Sequence, residues 1–328
     1  MRRTQASSEH DRDTARRMTV SATAPSATGL TENQRGIGMV LLGMSAFAIG
    51  DAFVKLVGSS LPLGQIVAVR GLMASALLLA LVLWREGVPD WRRLSHPRVL
   101  VRSLFEVGAT VCFLSAIVRI PLANATAIIQ AIPLAVTFCG ALFLGEKVGW
   151  RRYSAILVGF MGILVIVRPG TDGFDAGALF AIGTVACSTG RDLVTRRMPS
   201  DISSLQVVLI TTLLVTLSGV LWMGVEGTQA MSGGEVVALA LAAVALPIGL
   251  LCVTAAVRIG ELAVITPFRY SIFLWALLIG WLVFGEVPDT LTFVGTAIVL
   301  ASGLYTLMRE AKLKRDIAAR SGKRGAAI

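Results

Sequence analysis

Ten apolar runs, most of them long enough to form a membrane helix, occupy most of this chain. A helix needs about 20 apolar residues to cross the roughly 30 Å hydrocarbon core of a bilayer. Backbone N–H and C=O groups in lipid must be satisfied internally, so runs of this length indicate helices. The predicted spans are residues 36–57, 65–83, 99–117, 122–144, 153–167, 176–194, 205–225, 236–256, 262–284 and 291–308. The sequence therefore predicts an all-α integral membrane protein with ten transmembrane helices.

The composition fits a membrane protein, and the position of the charges explains the basic balance. Of the 328 residues, 55% are hydrophobic and 15% are charged, and the formal net charge is +10. Soluble domains carry about 25% charged residues. If the N-terminus is cytoplasmic, 24 of the 30 Lys and Arg residues fall on the cytoplasmic side. By the positive-inside rule we expect both termini in the cytoplasm, and because the charges follow the topology we expect no nucleic-acid partner. We expect the membrane to be the bacterial cytoplasmic (inner) membrane.

The two halves of the chain are similar at an offset of about 140 residues. Gly145–Glu146 matches Gly285–Glu286, and Cys112 matches Cys252. A repeat of half the chain length is typical of transporters built from duplicated units. Because each unit holds five helices, an odd number, the two copies must be inverted relative to each other. We expect a disordered cytoplasmic tail at 1–35, repeats at 36–169 and 176–308, and a basic cytoplasmic tail at 309–328.

Charged residues within the predicted helices are candidates for a binding site, because an intramembrane charge is costly and usually faces the protein interior. Asp51 and Lys55 are four residues apart, which allows either an interfacial ion pair or a pair lining the outer part of a cavity. On helix three, Glu106 can either neutralise Arg102 or act as a cavity residue. We assign Asp51, Glu106 and Arg70 of helix two to a substrate site.

Helix nine carries the strongest candidate, Arg269. It falls opposite Ile129 in the repeat, so its charge has no counterpart there. A buried arginine needs an acceptor, which is either a carboxylate of the protein or one on a substrate. Tyr270 and Trp275 can stack against a planar ligand or a cation, or can pack in the core. We assign these three residues to the substrate site as well.

Two prolines and two Gly-Glu corners are the candidate structural residues, and one of the prolines predicts a kink in helix four. Pro133 removes one backbone hydrogen bond and frees a carbonyl that can face a cavity, and Gln130, just before it, is assigned to the substrate site. We expect structural roles for Pro133 and Pro267. We expect the same for Glu146 and Glu286, since each carboxylate can accept from the N–H groups that begin the next helix.

The two Gly-Glu corners and the segment Pro-Leu-Ala-Asn-Ala at 121–125 resemble the EamA-type transporters of the drug/metabolite transporter superfamily. The resemblance covers roughly 36–308. It implies ten helices, cytoplasmic termini and a central cavity formed largely by helices one, three, four, six, eight and nine. It also implies substrates such as amino acids, vitamins, nucleotide-like metabolites or toxic compounds. The segments 50–55 and 191–197 are similar to those of riboflavin and other metabolite carriers.

These observations favour a secondary transporter that moves a small organic metabolite by alternating access, with an amino acid or a vitamin such as riboflavin as substrate. The alternatives are an exporter of toxic compounds and a non-transporting receptor or scaffold. The sequence has no HExxH, GxSxG or P-loop motif, so we do not expect an enzyme. We expect no cofactor and no metal site at His10 or His96. The expected partners are a small-molecule substrate and the lipid bilayer.

Overall fold

A computed structural model describes residues 32–89, 94–145, 149–170, 175–198, 202–259 and 262–325. Its helices are α1 (Glu32–Val57), α2 (Leu63–Arg85), α3 (Pro97–Ile117), α4a (Leu122–Ile129), α4b (Ile132–Leu144), α5 (Trp150–Val167), α6 (Gly177–Thr195), α7 (Ser204–Glu226), α8 (Gly233–Ile259), α9a (Leu262–Ile265), α9b (Ser271–Phe284) and α10 (Thr290–Gly325), and a 3-10 turn (Thr266–Tyr270) joins α9a to α9b.

The predicted all-α fold with ten helices, counting α4 and α9 as one each, is confirmed. Within the described ranges, nine helices are long and apolar enough to cross a membrane, and no residue is in a β-strand. The tenth, α6, is similar in length but contains Arg191 and Asp192, which lower its mean hydropathy. The described helix whose hydropathy is too low for a candidate span, α6, is thus one that carries two charges inside the bundle.

Two helices are interrupted at corresponding points of the repeat. Helix α4 breaks at Gln130 and Ala131, which bond to carbonyls only three residues back, before Pro133 resumes a regular helix. Helix α9 breaks at the 3-10 turn Thr266–Tyr270, which contains Pro267. Proline cannot donate a backbone hydrogen bond, and tighter i→i+3 bonding is a common local response. The break in α4 falls inside its span, whereas the break in α9 falls near the start of its span, and discontinuous helices of this kind are common in repeat transporters.

The two faces of the bundle can be told apart by which helix ends meet there. On the face where α1 begins, here named the terminal face, the Ser203 hydroxyl donates to the Glu86 carboxylate at 2.6 Å, joining α7 to α2. On the other face, here named the opposite face, the backbone N–H of Gly64 donates to the Glu226 carboxylate at 3.0 Å, joining α2 to α7. The helices thus alternate in direction as their connections require.

The inverted repeat reappears in the contacts between helices. A Cβ atom added to Gly43 of α1 would lie 3.2 Å from the Cβ of Cys252 on α8. A Cβ added to Gly183 of α6 would lie 3.0 Å from the Sγ of Cys112 on α3. Both glycines and both cysteines are 140 positions apart. Small residues therefore let α1 approach α8, and α6 approach α3, in the same way in both halves.

The largest apolar core lies nearer the opposite face. Val54 near the end of α1, Ile117 at the end of α3, and Leu122 and Ile128 of α4a are at most 1% exposed. These residues come from the helix ends that meet on the opposite face. The helix ends on the opposite face are therefore densely packed.

Cysteine labelling tests which face is cytoplasmic. We expect the terminal face to be cytoplasmic, because most Lys and Arg residues of the sequence fall on it. In a variant lacking the four natural cysteines, Ser59→Cys on the opposite face should react with a membrane-impermeant maleimide in intact cells. Ser95→Cys on the terminal face should react only after permeabilisation. The reverse pattern would refute this orientation, and the cysteine-free parent measures background labelling.

Candidate functional site

A cavity of about 480 Å³ lies within the bundle, bordered by α1, α2, α3, α6, α7, α8 and the 3-10 turn of α9. Its lining reaches from Thr195, the last residue of α6 on the terminal face, to Leu114 in the last turn of α3. The charged residues that line it are Arg70, Arg102, Glu106, Arg191, Asp192 and Arg269. The lining therefore has four guanidinium groups and two carboxylates, and the surplus charge is positive.

Three helices are joined by a charged network in this cavity. The Arg191 Nη1 of α6 lies 2.9 Å from the Glu106 Oε2 of α3, and the Arg191 Nε lies 2.8 Å from the Asp192 Oδ1. Arg102 lies farther from Glu106, at 4.0 Å, and instead donates to the Thr211 hydroxyl of α7 at 2.7 Å. Both carboxylates of the cavity are thus held by Arg191.

The other two arginines of the cavity are not engaged in the same way. Neither Arg70 nor Arg269 has a hydrogen bond or an ion pair with any described residue. Arg70 interacts electrostatically with Asp51, and Arg269 with Asp192, without a direct contact in either case. Two cations therefore line the cavity with no acceptor among the described residues bonded to them.

The rest of the cavity wall is largely apolar. Phe47 of α1, Leu114 of α3, and Leu246 and Leu250 of α8 line it. A ligand that fills the cavity would therefore meet arginine side chains on one part of its surface and hydrocarbon on another. Such a mixed lining is typical of sites for small organic molecules.

A salt bridge closes the opposite face, and we name it the opposite-face latch. The Lys55 Nζ of α1 lies 2.6 Å from the Glu286 Oε1, and the Glu286 Oε2 accepts from the backbone N–H of Leu122 at 3.0 Å. Lys55 also donates to the Ile120 carbonyl at 2.9 Å and lies 5.3 Å from the ring centre of Phe284. One carboxylate thus ties the corner after α9 to α1 and to the start of α4a, across the two repeats.

A second ion pair on the same face is more exposed. Arg168, just after α5, pairs with Asp289, which also accepts from the backbone N–H of Thr292 at the start of α10. The hydrogen bonds from Arg168 and Thr292 lower the pKa of Asp289 to about 2. A depressed carboxyl pKa contributes stability at neutral pH that is lost only as the pH falls below about 4 toward 2. This pair therefore persists at physiological pH.

Three of the predicted site residues, Arg70, Glu106 and Arg269, line the cavity. Asp51 does not line the cavity, but its carboxylate interacts electrostatically with the Arg70 guanidinium. The Asp51–Lys55 ion pair that the spacing allows does not form, because Lys55 is bonded to Glu286.

The remaining predicted site residues lie away from the cavity lining. Gln130 is buried at the break in α4, with its Nε2 bonded to no described residue. Tyr270 is directed at α10, where a Cβ on Gly303 would lie 2.1 Å from its hydroxyl oxygen. Trp275 packs in the apolar cluster that includes Met44 of α1. The buried polar atoms of Tyr270 and Trp275 also lack a described hydrogen-bond partner.

The predicted structural residues lie at the helix breaks and at one of the two corners. Pro133 and Pro267 lie at the two breaks. Glu286 does not accept from the next helix, α10, as its position after Gly285 suggested; it accepts from the start of α4a in the other repeat. Glu146 lies outside the described residues.

The sequence prediction omitted several cavity residues: Arg102, Arg191, Asp192 and Thr211. A signal was present for two of them, because Arg191 falls opposite Asp51 in the repeat and Thr211 falls opposite Arg70. The position of Arg191 near the end of its span favours a side chain that reaches the aqueous surface, whereas in the structure it turns inward to Glu106.

Comparison with known proteins gives a family and a fold. The sequence matches the EamA-like transporter family twice, over residues 34–168 and 175–308. A solved crystal structure resembles this chain with a TM-score of 0.58 at 18% sequence identity. That similarity covers 84% of this chain and 98% of the other, and it supports the fold alone.

Relatives with assigned functions are metabolite transporters. The chain is 28% identical over 272 residues to the pseudopaline exporter CntI of Pseudomonas aeruginosa, covering 81% of this chain and 94% of that protein. It is 29% identical over 198 residues to a riboflavin transporter of Vibrio cholerae, covering 60% and 66%. It is 24% identical over 283 residues to an S-adenosylmethionine uptake transporter of Rickettsia felis, covering 84% and 94%.

The charged network predicts a compensating pair of substitutions. Arg191→Gln leaves Glu106 and Asp192 without their main partner, so we expect a loss of stability on the order of 1–3 kcal/mol. Replacing Glu106 by Gln in the same protein should recover part of that loss, because one unpaired carboxylate is removed. The midpoint of thermal unfolding in detergent measures both effects. Equal stability of Arg191→Gln and the parent would show that the network does not hold α3 to α6.

The opposite-face latch predicts a difference between two neighbouring carboxylates. Glu286→Gln should lower the unfolding midpoint, by roughly 2–4 °C for each kcal/mol lost, because it leaves the largely buried Lys55 unpaired. Asp289→Asn is the matched control on the same face, and we expect a smaller shift because its ion pair is exposed. Equal shifts for the two variants would contradict a special role for Glu286.

Proposed function

The chain belongs to the EamA-like transporter family, and we propose that as a member of it this protein carries a small organic anion across the bacterial cytoplasmic membrane. The family match covers both repeats, and relatives with assigned functions are named as exporters or transporters of metabolites. Some of them are named for export and others for uptake. The argument for the substrate class therefore rests on the cavity of this chain.

The proposal rests on the environment of Arg70 and Arg269, two arginines that line the cavity without a bonded acceptor among the described residues. Both line the cavity, and neither is bonded to an acceptor among the described residues. A cation inside a membrane protein is costly unless an acceptor or water satisfies it. The two carboxylates of the cavity are already held by Arg191. A carboxylate or phosphate group on the substrate would supply the acceptor, through charge-assisted hydrogen bonds to a guanidinium group.

The size of the cavity and its apolar wall restrict the class of substrate further. A volume of about 480 Å³ suits a molecule between an amino acid and a vitamin in size. Phe47 and the leucines of α3 and α8 offer contact to an apolar part of that molecule. The substrate that fits best is therefore an amphipathic metabolite with at least one acidic group.

The same geometry supports transport by alternating access. With the terminal face in the cytoplasm, the cavity extends toward the cytoplasm while the latch of Lys55 and Glu286 closes the other side. Rocking of one inverted repeat against the other would break that latch and open the cavity outward. The mechanism gives the chain no catalytic step and needs no cofactor.

Transport by reconstituted protein tests the substrate class. Labelled glutamate, citrate, riboflavin and S-adenosylmethionine are offered to proteoliposomes, and we expect flux of an acidic probe. Arg269→Gln should raise its half-saturation constant about tenfold or more, the equivalent of about 1.4 kcal/mol of binding. Arg119→Gln is the control, since Arg119 bonds to the Ser115 carbonyl and does not line the cavity.

Two outcomes would contradict the proposal. The first is transport confined to riboflavin or S-adenosylmethionine, neither of which carries a net negative charge. The second is unchanged transport of an acidic probe by folded Arg70→Gln and Arg269→Gln variants. An unfolding midpoint measured for each variant separates a lost binding group from a lost fold.

A further inference from the structure

A second cavity lies on the outer surface of the bundle, between the last helices of the two repeats. It has a volume of about 580 Å³ and is lined by Trp150, Arg151 and Ala155 of α5 and by Ile298, Ala301 and Tyr305 of α10, among others. We name it the α5–α10 groove. Trp150 is the first residue of α5, and Tyr305 lies one turn before Arg309, which ends the apolar span of α10. The groove therefore begins at the terminal face and runs into the membrane.

The floor of the groove is made of small side chains. Ala155 and Ala301 leave space between the two helices, whereas deeper in the membrane the helices touch. A Cβ added to Gly159 would lie 2.6 Å from the Ser302 Oγ, and one added to Gly162 would lie 2.9 Å from the Gly295 carbonyl oxygen. The groove is thus an elongated apolar space that closes where α5 and α10 come into contact.

The mouth of the groove is cationic and aromatic. The Arg151 guanidinium lies 5.5 Å from the ring centre of Trp150, which is 74% exposed. The Arg309 Nη1 donates to the Tyr305 hydroxyl at 3.1 Å. Tryptophan and tyrosine favour the interface between lipid headgroups and hydrocarbon. Two guanidinium groups therefore stand at headgroup depth above an apolar groove.

We propose that the α5–α10 groove binds one anionic phospholipid in the leaflet at the terminal face. An acyl chain lies over Ala155 and Ala301, and the phosphate accepts from Arg151 and Arg309. Arginine binds phosphate oxygens through charge-assisted hydrogen bonds, and juxtamembrane cations attract anionic lipid. A net negative lipid matches the two positive charges better than a zwitterionic one.

The charges also argue against a second copy of the protein as the occupant. Two chains joined at this groove about a twofold axis would present the same patch to each other. Arg151 and Arg309 of both copies would then meet in a low-dielectric interface, and like charges facing each other oppose association. The two cations that disfavour a dimer are the groups that a lipid phosphate would satisfy.

The chain provides a matched control at the end of α2. The Arg85 guanidinium lies 5.7 Å from the ring centre of Trp84, which is 79% exposed. This pair lies on the same face as Trp150 and Arg151 and has the same chemistry, but neither of its residues lines the α5–α10 groove. Substitution of Arg85 therefore distinguishes a general attraction of anionic lipid to surface cations from binding of lipid in the groove.

Native mass spectrometry of the full-length protein tests the proposal. The protein is equilibrated with equal amounts of phosphatidylglycerol and phosphatidylcholine of the same acyl chains. We expect one phosphatidylglycerol retained about tenfold in preference to phosphatidylcholine. The double variant Arg151→Gln/Arg309→Gln should lose this preference, and Arg85→Gln should keep it. Ala301→Leu, which fills the floor but leaves both charges, should also lose it and remains informative if the double variant does not fold.

Three results would overturn the proposal. Equal retention of the two lipids by the parent would show that the groove does not select charge. Equal loss in Arg85→Gln would show that surface cations act without the groove. A dimer that dissociates in Ala301→Leu, with no lipid retained by the parent, would make a second copy the occupant.

Discussion

A charged side chain inside an apolar bundle must have a partner or reach water, and this requirement organises the structure. Glu286 shows its effect on the opposite face, where one carboxylate holds Lys55 and the first N–H of α4a. Because an unpaired buried charge is far more costly than a paired one, the three segments that meet at Glu286 are held together. The same requirement applied to Arg70 and Arg269, which have no bonded partner among the described residues, points to the substrate.

The sequence predicted the helices well because hydrophobic length is a direct consequence of bilayer thickness. The predicted spans follow the apolar segments, and hydropathy does not report where a helix continues in water. Helix α5 begins at Trp150, three residues before its predicted span, and α10 continues to Gly325, although its apolar span ends at Arg309, next to the predicted residue 308. Helix α9 was predicted as one continuous span, but it contains a 3-10 turn.

Part of the site could not be predicted because residues near each other in sequence point in different directions on a helix. A helix advances about 100° per residue, so Tyr270 and Trp275 lie about 100° and 240° around the helix axis from Arg269. Tyr270 is directed at α10, and Trp275 packs toward α1, although Arg269 of the same helix lines the cavity. Arg269 itself was predictable, because its charge lacks a counterpart at residue 129 of the other repeat.

A substrate has no twofold symmetry, so an inverted repeat can duplicate its scaffold but must place each binding group once. Gly43 and Gly183 make equivalent helix contacts 140 residues apart, which is the duplicated part. Arg70 and Thr211 occupy matching positions on α2 and α7, and both line the same cavity. Arg70 provides a cation with no hydrogen bond or ion pair to a described residue, whereas Thr211 accepts from Arg102 and anchors the charged network. A single repeat position thus holds a cavity-lining charge in one half and an anchor for a neighbouring arginine in the other.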